Sequence, residues 1–392
     1  MKKILQNYLK FWAKKYLQRA KPCIVAITGS VGKTTTKEAI FAVLAEKYKK
    51  DVVKSSGNLN SETGVPLAIL GYKKSPKKFY EWIPVIFTAP LSSYSQKIFK
   101  IMILEFAADK PGDIKYLSSI ASPDIAVITA IGPSHLANFK SMEKVAQEKL
   151  SLLWSLKSGG QAVLNTDDEI LKKASYGGRF EKITYAIGSK ADITASSIST
   201  VVSGIGVTTN FQISGKVSVD IVLTVLGGKA VVYASLAAAS VGKILGVNIT
   251  DIKNGLKKIV PESHRMQIFR GANNSIIIDD SYNANPLSMK NALNVLAGLK
   301  AKRKIAVLGE MREIGDTTDA VHKEIGEIAA KSADLVVAIG TQAKKFNAQK
   351  YFASKEEATK YLLKEVREND IILVKASRSI GLDEVVESLK LN

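Results

Sequence analysis

Seven consecutive residues, Gly29-Ser30-Val31-Gly32-Lys33-Thr34-Thr35, have the types and spacing of a phosphate cradle. Glycines let a backbone curl until successive N–H groups face an anion at a helix N-terminus. Lys33 is placed to neutralise β- and γ-phosphate charge, and the Thr34 hydroxyl to ligate magnesium. The common P-loop has a glycine five residues before its second glycine. This chain has Ile27 there, so its loop is a short variant. Glu105 closes an apolar run, where a carboxylate is costly to desolvate unless a cation or a cap satisfies it. The three histidines, His135, His264 and His322, lack the spacing of a metal cage or a nucleophile–base pair, which leaves hydrolase chemistry unsupported. The single cysteine, Cys23, excludes a disulfide framework and a thiolate zinc site and fits a reducing compartment.

The elements that must carry these residues alternate. A β-branched run over 23–28 leads into the glycine loop and then a helical pattern, while 100–106, 124–129 and 161–165 read as buried strands with helices between them. That pattern predicts a mostly parallel sheet covered on both faces. Residues 183–226, rich in Ser, Thr, Val and Gly, are expected to form antiparallel strands at its edge. Residues 231–245 then predict a small-residue helix. Beyond a boundary near 261–267 a second α/β pattern begins, with strands over 275–279, 304–308, 334–339 and 370–375. The expected organisation is α/β throughout: a basic amphipathic helix over 1–22, a central P-loop domain over 23–266 and a Rossmann-like domain over 267–392.

Charge is uneven. Residues 1–22 and 73–100 together hold +12 of the net +20 and 10 of the 28 aromatic residues, which points to nucleic acid or an anionic membrane surface. Leu5, Leu9, Trp12 and Tyr16 share one helical stripe, with Lys3, Lys10, Lys14 and Lys21 opposite. The stripe fits either a helix packed on the domain or one resting on lipid. The uncharged stretch 82–96 contains Pro84 and Pro90 and is too short and too broken to cross a bilayer. A cytoplasmic protein is expected, with membrane contact at most peripheral.

Several segments together resemble the ATP-dependent Mur ligases, above all the MurF type. They are residues 28–38, the asparagine-rich loop Asn58-Leu59-Asn60-Ser61-Glu62-Thr63-Gly64-Val65-Pro66, the glutamate segment 104–114, the histidine segment Ile131-Gly132-Pro133-Ser134-His135-Leu136, and 163–168. In the second half, Asp279-Asp280-Ser281-Tyr282-Asn283-Ala284-Asn285-Pro286, residues 307–315 and Val374-Lys375-Ala376-Ser377-Arg378 fit as well.

The resemblance implies an amide-bond ligase that uses ATP to phosphorylate a peptide carboxylate, which the amine of a dipeptide such as D-alanyl-D-alanine then attacks. It implies two magnesium ions held by Thr34, Glu105, His135 and a carbamylated Lys149. The same family pattern has Arg265 reaching the ATP phosphates, Asn165, Asp280, Tyr282, Asn283 and Asn285 around the nucleotide, and Asn58, Asn60, Lys375 and Arg378 towards substrate. Ala230 and Ala234 stand where the family has a histidine and an asparagine near adenine. With the P-loop at residue 29, the family's nucleotide-sugar domain is expected to be missing. The enzyme is expected to be a monomer with no nucleic-acid partner. A folylpolyglutamate-synthetase-like ligase and a basic P-loop nucleic-acid-binding protein are the alternative readings.

Overall fold

The computed structural model describes residues 2–178, 180–312, 314 and 318–391, without the side chain of Lys2. Its first nine strands are β1 (Cys23–Thr28), β2 (Val52–Lys54), β3 (Ile101–Glu105), β4 (Ile125–Ile128), β5 (Gln161–Asn165), β6 (Glu181–Ala186), β7 (Ile193–Ser203), β8 (Gly206–Gly215) and β9 (Val219–Leu223). They form one sheet in the order β2-β3-β1-β4-β5-β6-β7-β8-β9. Pairing is parallel from β2 through β7 and antiparallel from β7 to β9. The run 183–186 is therefore not an antiparallel edge. It continues the parallel sheet as β6, because the helix Glu169–Tyr176 carries the chain back to lie beside β5.

Alternation along β1 divides the interior. Val25 and Ile27 point to a core shared with helices Lys33–Tyr48 and Gly228–Ile244, and Ile24 and Ala26 to the core on the opposite face. Ile27 lies beside Glu105 on one side and Val127 on the other. The strand order switches direction at β1, so the loop leaving it opens into the crevice where open α/β sheets bind ligands.

The second sheet contains β10 (Gln267–Gly271), β11 (Ser275–Asp279), β12 (Lys304–Gly309), β13 (Leu335–Ile339), β14 (Lys350–Phe352) and β15 (Ile371–Lys375). Its order is β10-β11-β15-β12-β13-β14, parallel except for β10. The sequence pattern gave no sign of β10 or β14, both short. Of the segment 307–315, Glu313 and Gly315 lie outside the described residues.

The helix Lys2–Ala20 packs on the first domain, burying Leu9, Ala13 and Tyr16 completely. The stretch expected to be broken by prolines is a continuous helix, Trp82–Ser95. Pro84 sits in the first turn, where no intrahelical donor is needed. Pro90 has no N–H to give the Ile86 carbonyl, and the Tyr8 hydroxyl donates to that carbonyl at 2.6 Å instead.

Candidate active site

Two glycines shape the loop. Gly29 and Gly32 have φ of 147° and 79°, and a Cβ on Gly29 would lie 2.1 Å from the Thr129 hydroxyl. The Ser30 N–H donates to the Ala130 carbonyl at 2.8 Å, and the Ser30 hydroxyl to the Gly132 carbonyl at 2.8 Å. The loop is thus tied to the segment after β4. Val31 and Thr35 are half-buried. The Lys33 ammonium folds back to donate to the Gly29 carbonyl at 2.8 Å, over the turn of the loop. Desolvation pulls its pKa below the usual lysine value, against the raising influence of Glu105.

Glu105 is buried at the end of β3. One carboxylate oxygen accepts from the Thr34 hydroxyl at 3.0 Å and the other from the Asn60 amide at 3.0 Å. Burial pushes its carboxyl upward, but Lys37, Lys33, the Asn60 bond and Arg265 overbalance that and hold it below the usual glutamate range. Asn58 lies exposed in the same loop as Asn60. Lys37, which sequence reasoning missed, is fully buried, with its ammonium 3.6 Å from Glu105 and 3.3 Å from Glu262. The signal was present: Lys37 falls one turn after Lys33 and Thr34 on the same helix.

Lys149, on helix Met142–Trp154, is only 2% exposed and donates to the Ala108 carbonyl at 3.3 Å. Burial first, and then the Lys33 charge, lowers its pKa to about 7. Its neighbour Glu148 points elsewhere, accepting the backbone N–H groups of Gly112 and Ile114. His135, at φ 50°, brings Nε2 to 3.4 Å from Asp109. Asn165 accepts from the Asp167 N–H, and Asp167 accepts from the N–H groups of Ile187 and Gly188 and from the Tyr233 hydroxyl. Burial raises the Asp167 carboxyl, and these bonds more than offset it. Tyr233 comes from the helix that also carries Ala230 and the buried Ala234.

The second domain faces this crevice. The Asn285 amide donates to the Ser30 carbonyl at 3.4 Å while its oxygen caps helix Pro286–Gly298. The Arg265 guanidinium stacks 4.1 Å from the Tyr282 ring centre, with its Nε buried without a hydrogen bond and 3.7 Å from the Glu262 carboxylate, and Arg378 lies 6.0 Å from the same ring. Lys375 is buried, bonded to Asp280 at 2.5 Å and to the Asn283 carbonyl at 2.9 Å, so its ammonium holds the loop around Tyr282. The structure therefore gathers Lys33, Thr34, Glu105, Asn60 and Lys37 into one connected group. Asn285 reaches this group's loop from the second domain.

Among the described residues no three His, Cys, Asp or Glu side chains form a metal cage. Magnesium does not need one, since it binds through one or two protein oxygens with phosphate oxygens and water. The adjoining Thr34 hydroxyl and Glu105 carboxylate suit that demand.

A phosphate-binding loop approached by a second α/β domain, with a buried carboxylate beside its threonine, is the arrangement of an ATP-dependent ligase. Residues 27–242 match the family model of the Mur ligase middle domain, and residues 264–378 that of the Mur ligase glutamate ligase domain. The chain belongs to the Mur ligase family and is of the MurF type. It is 33% identical to the UDP-N-acetylmuramoyl-tripeptide–D-alanyl-D-alanine ligase of Bacillus subtilis (strain 168), over 96% of this chain and 78% of that enzyme. The crystal structure of MurF from Acinetobacter baumannii superposes with a TM-score of 0.82 at 26% identity, over 97% of this chain and 79% of that one. MurF from Thermotoga maritima in complex with ADP gives 0.81 at 26% identity, over 98% and 83%.

Proposed function

We propose that this chain joins D-alanyl-D-alanine to the peptide carboxylate of a UDP-N-acetylmuramoyl tripeptide. The observation that carries the reading is the Thr34–Glu105 contact at the mouth of the P-loop, reached by Asn285 of the second domain, in a chain whose relatives carry that name. The central unit, 23–266, holds ATP, and 267–392 closes over it. A substrate carboxylate oxygen attacks the γ-phosphorus, releasing ADP and leaving an acyl phosphate. The amine of the dipeptide then attacks the acyl carbon. The tetrahedral intermediate collapses with loss of phosphate, and the nitrogen gives up its proton. Lys33 and the loop N–H groups stabilise the phosphoryl charge, and Arg265 meets it from the other side. Asn165, Asp280, Tyr282, Asn283 and Asn285 surround the nucleotide; Asn58, Asn60 and Arg378 face the substrates, and Lys375 orders the loop of Asp280 and Asn283 beside them. Domain closure supplies alignment.

Magnesium supplies Lewis-acid stabilisation of the phosphate oxygens, one ion held by Thr34 and Glu105 and a second by His135 and Lys149. For Lys149 this requires carbamylation. Its neutral nitrogen attacks the carbon of carbon dioxide, an N–C bond forms as one C=O pair moves to oxygen, and the nitrogen's proton leaves to solvent. The resulting anion turns repulsion by Lys33 into attraction. The same reading places the enzyme in the cytoplasm as a monomer, with peripheral contact to an anionic membrane.

Phosphate release and product mass spectrometry with UDP-muramoyl tripeptide and D-alanyl-D-alanine test the assignment. Turnover with free amino acids but not the dipeptide would overturn it. Bicarbonate-depleted enzyme loses activity and regains it on readdition, and short carboxylates partly restore Lys149→Ala. Full activity after depletion would remove the carbamate.

A further inference from the structure

The helix Trp82–Ser95 contains no charged residue, yet only Val85, Ala89 and Ser93 are buried, with Trp82 partly packed against the core at its start. The three buried positions are four apart and form a narrow stripe. A helix apolar on every side is ordinarily buried on every side. Here Phe79 and Phe87 are each 76% exposed and Leu91 65%, with Ile83, Ile86 and Tyr94 also open to solvent. An exposed apolar surface of this extent marks an interaction site.

Its border is basic. Lys73, Lys74, Lys77 and Lys78 are exposed and make no ion pair among the described residues. The one acid nearby, Glu81, turns back to accept the N–H groups of Lys77 and Lys78. The face is held firmly. Tyr8 bonds the Ile86 carbonyl, Tyr16 the Lys97 carbonyl at 2.8 Å, and Arg19 the carbonyls of Tyr94 and Gln96. Edge-on rings carry the surface from Tyr94 through Trp12 to the exposed Phe11 of the first helix.

Resting on the reading that the enzyme meets an anionic membrane, we infer that helix Trp82–Ser95 is the element that enters the bilayer interface. It lies along the surface with Phe79, Ile83, Phe87 and Leu91 among the acyl chains and Lys73–Lys78 at the headgroups, while helix Lys2–Ala20 braces it from behind. Its 14 residues span about 21 Å, short of the roughly 30 Å hydrocarbon core, so it lies in the interface and does not cross. No helix among the described residues is long and apolar enough to cross. A border of four lysines against one glutamate, Glu81, matches anionic lipid and opposes self-docking, which would bring two such borders together.

Co-sedimentation of the full chain with phosphatidylcholine vesicles, with and without phosphatidylglycerol, tests this. Binding requires phosphatidylglycerol and falls with salt. The double variant Phe87→Ser with Leu91→Ser weakens it about tenfold or more while leaving ligase activity without vesicles unchanged. Phe87→Trp emission shifts to the blue on binding and is quenched by brominated lipid. If that double variant binds like wild type in a salt-sensitive way, helix insertion is wrong while membrane contact stands. Absence of binding to either vesicle overturns both. A lipid-free dimer that the double variant dissociates assigns the face to a second copy and overturns the inference as well.

Discussion

The crevice around Glu105 and the outer face of helix Trp82–Ser95 depart from ordinary burial in opposite directions. In the crevice, Lys37, Glu105 and Lys149 are removed from water, although charged side chains are almost never fully buried unless paired. On the helix, large apolar groups remain in water beside lysines that have no acidic partner among the described residues. In the crevice, cations and an amide of the chain itself offset the burial of Glu105, whereas nothing among the described residues covers the apolar face of the helix. The crevice is thereby set to receive phosphate and its cations, and on the inference drawn above the helix face awaits an apolar layer with anionic headgroups. Buried charge in the crevice is constrained by geometry at the scale of single bonds. The helix face is constrained only in composition and outline, so it tolerates substitution far better.

The largest effect belongs to the crevice. Lys33→Ala or Glu105→Ala is expected to lower turnover on the order of 10³-fold, the scale of losing one preorganised charge contact in the transition state. Lys33→Ala should leave the fold intact, because its ammonium bonds only a loop carbonyl, whereas Glu105→Ala also costs stability by leaving the buried Lys37 to Glu262, so the two effects are read separately. Steady-state phosphate release with circular dichroism on the same samples checks it. Near-normal turnover in either variant would remove the crevice from the chemistry and erase its side of the comparison.

Lys37 probes whether buried charge there is structural as well as chemical. Lys37→Met removes the cation between Glu105 and Glu262 and leaves two carboxylates without it, a change that typically costs about 3–5 kcal/mol when one partner of a buried pair is lost. Thermal unfolding should show a lower midpoint. Since Lys37 is the strongest of the groups holding the Glu105 carboxyl down, its loss raises that pKa, and the acid limb of the activity profile moves to higher pH. An unshifted acid limb would confine Lys37 to packing.

How much of this was legible in the sequence follows from the range of each interaction. Gly29, Gly32, Lys33 and Thr34 act within one turn of chain, and Glu105 ends a strand whose apolar run announces it, so their proximity could be anticipated. For Lys37 only the spacing from Lys33 and Thr34 was legible, because its second partner, Glu262, lies 225 positions away and a helical lysine ordinarily faces solvent. Residues 183–186 failed for a related reason: strand direction is set by the crossover through helix Glu169–Tyr176, not by the Ser- and Thr-rich composition of the strand. The prolines at 84 and 90 were read as breaks. Pro84 breaks nothing in a first turn, and the gap at Pro90 is filled by Tyr8, 78 positions upstream of the Ile86 carbonyl that it bonds.

That repair gives the smallest and most specific prediction. Tyr8→Phe keeps the ring and the exposed face but removes the only hydroxyl bonded to the Ile86 carbonyl among the described residues, at a cost of about 1 kcal/mol. In Pro90→Ala the restored N–H of residue 90 can donate to the same carbonyl, as in any uninterrupted helix. The Tyr8 hydroxyl then competes for an acceptor already satisfied, and Tyr8→Phe should cost less than half as much in that background. A double-mutant cycle on thermal or urea unfolding isolates the coupling between positions 8 and 90, which contact through a single carbonyl. Because neither substitution touches Phe87 or Leu91, vesicle binding should survive all three variants as long as the helix stays folded. Equal costs of Tyr8→Phe in both backgrounds would mean that the first helix grips helix Trp82–Ser95 through its buried apolar residues alone, so the exposed face would owe its rigidity to packing and not to the filled gap at the proline.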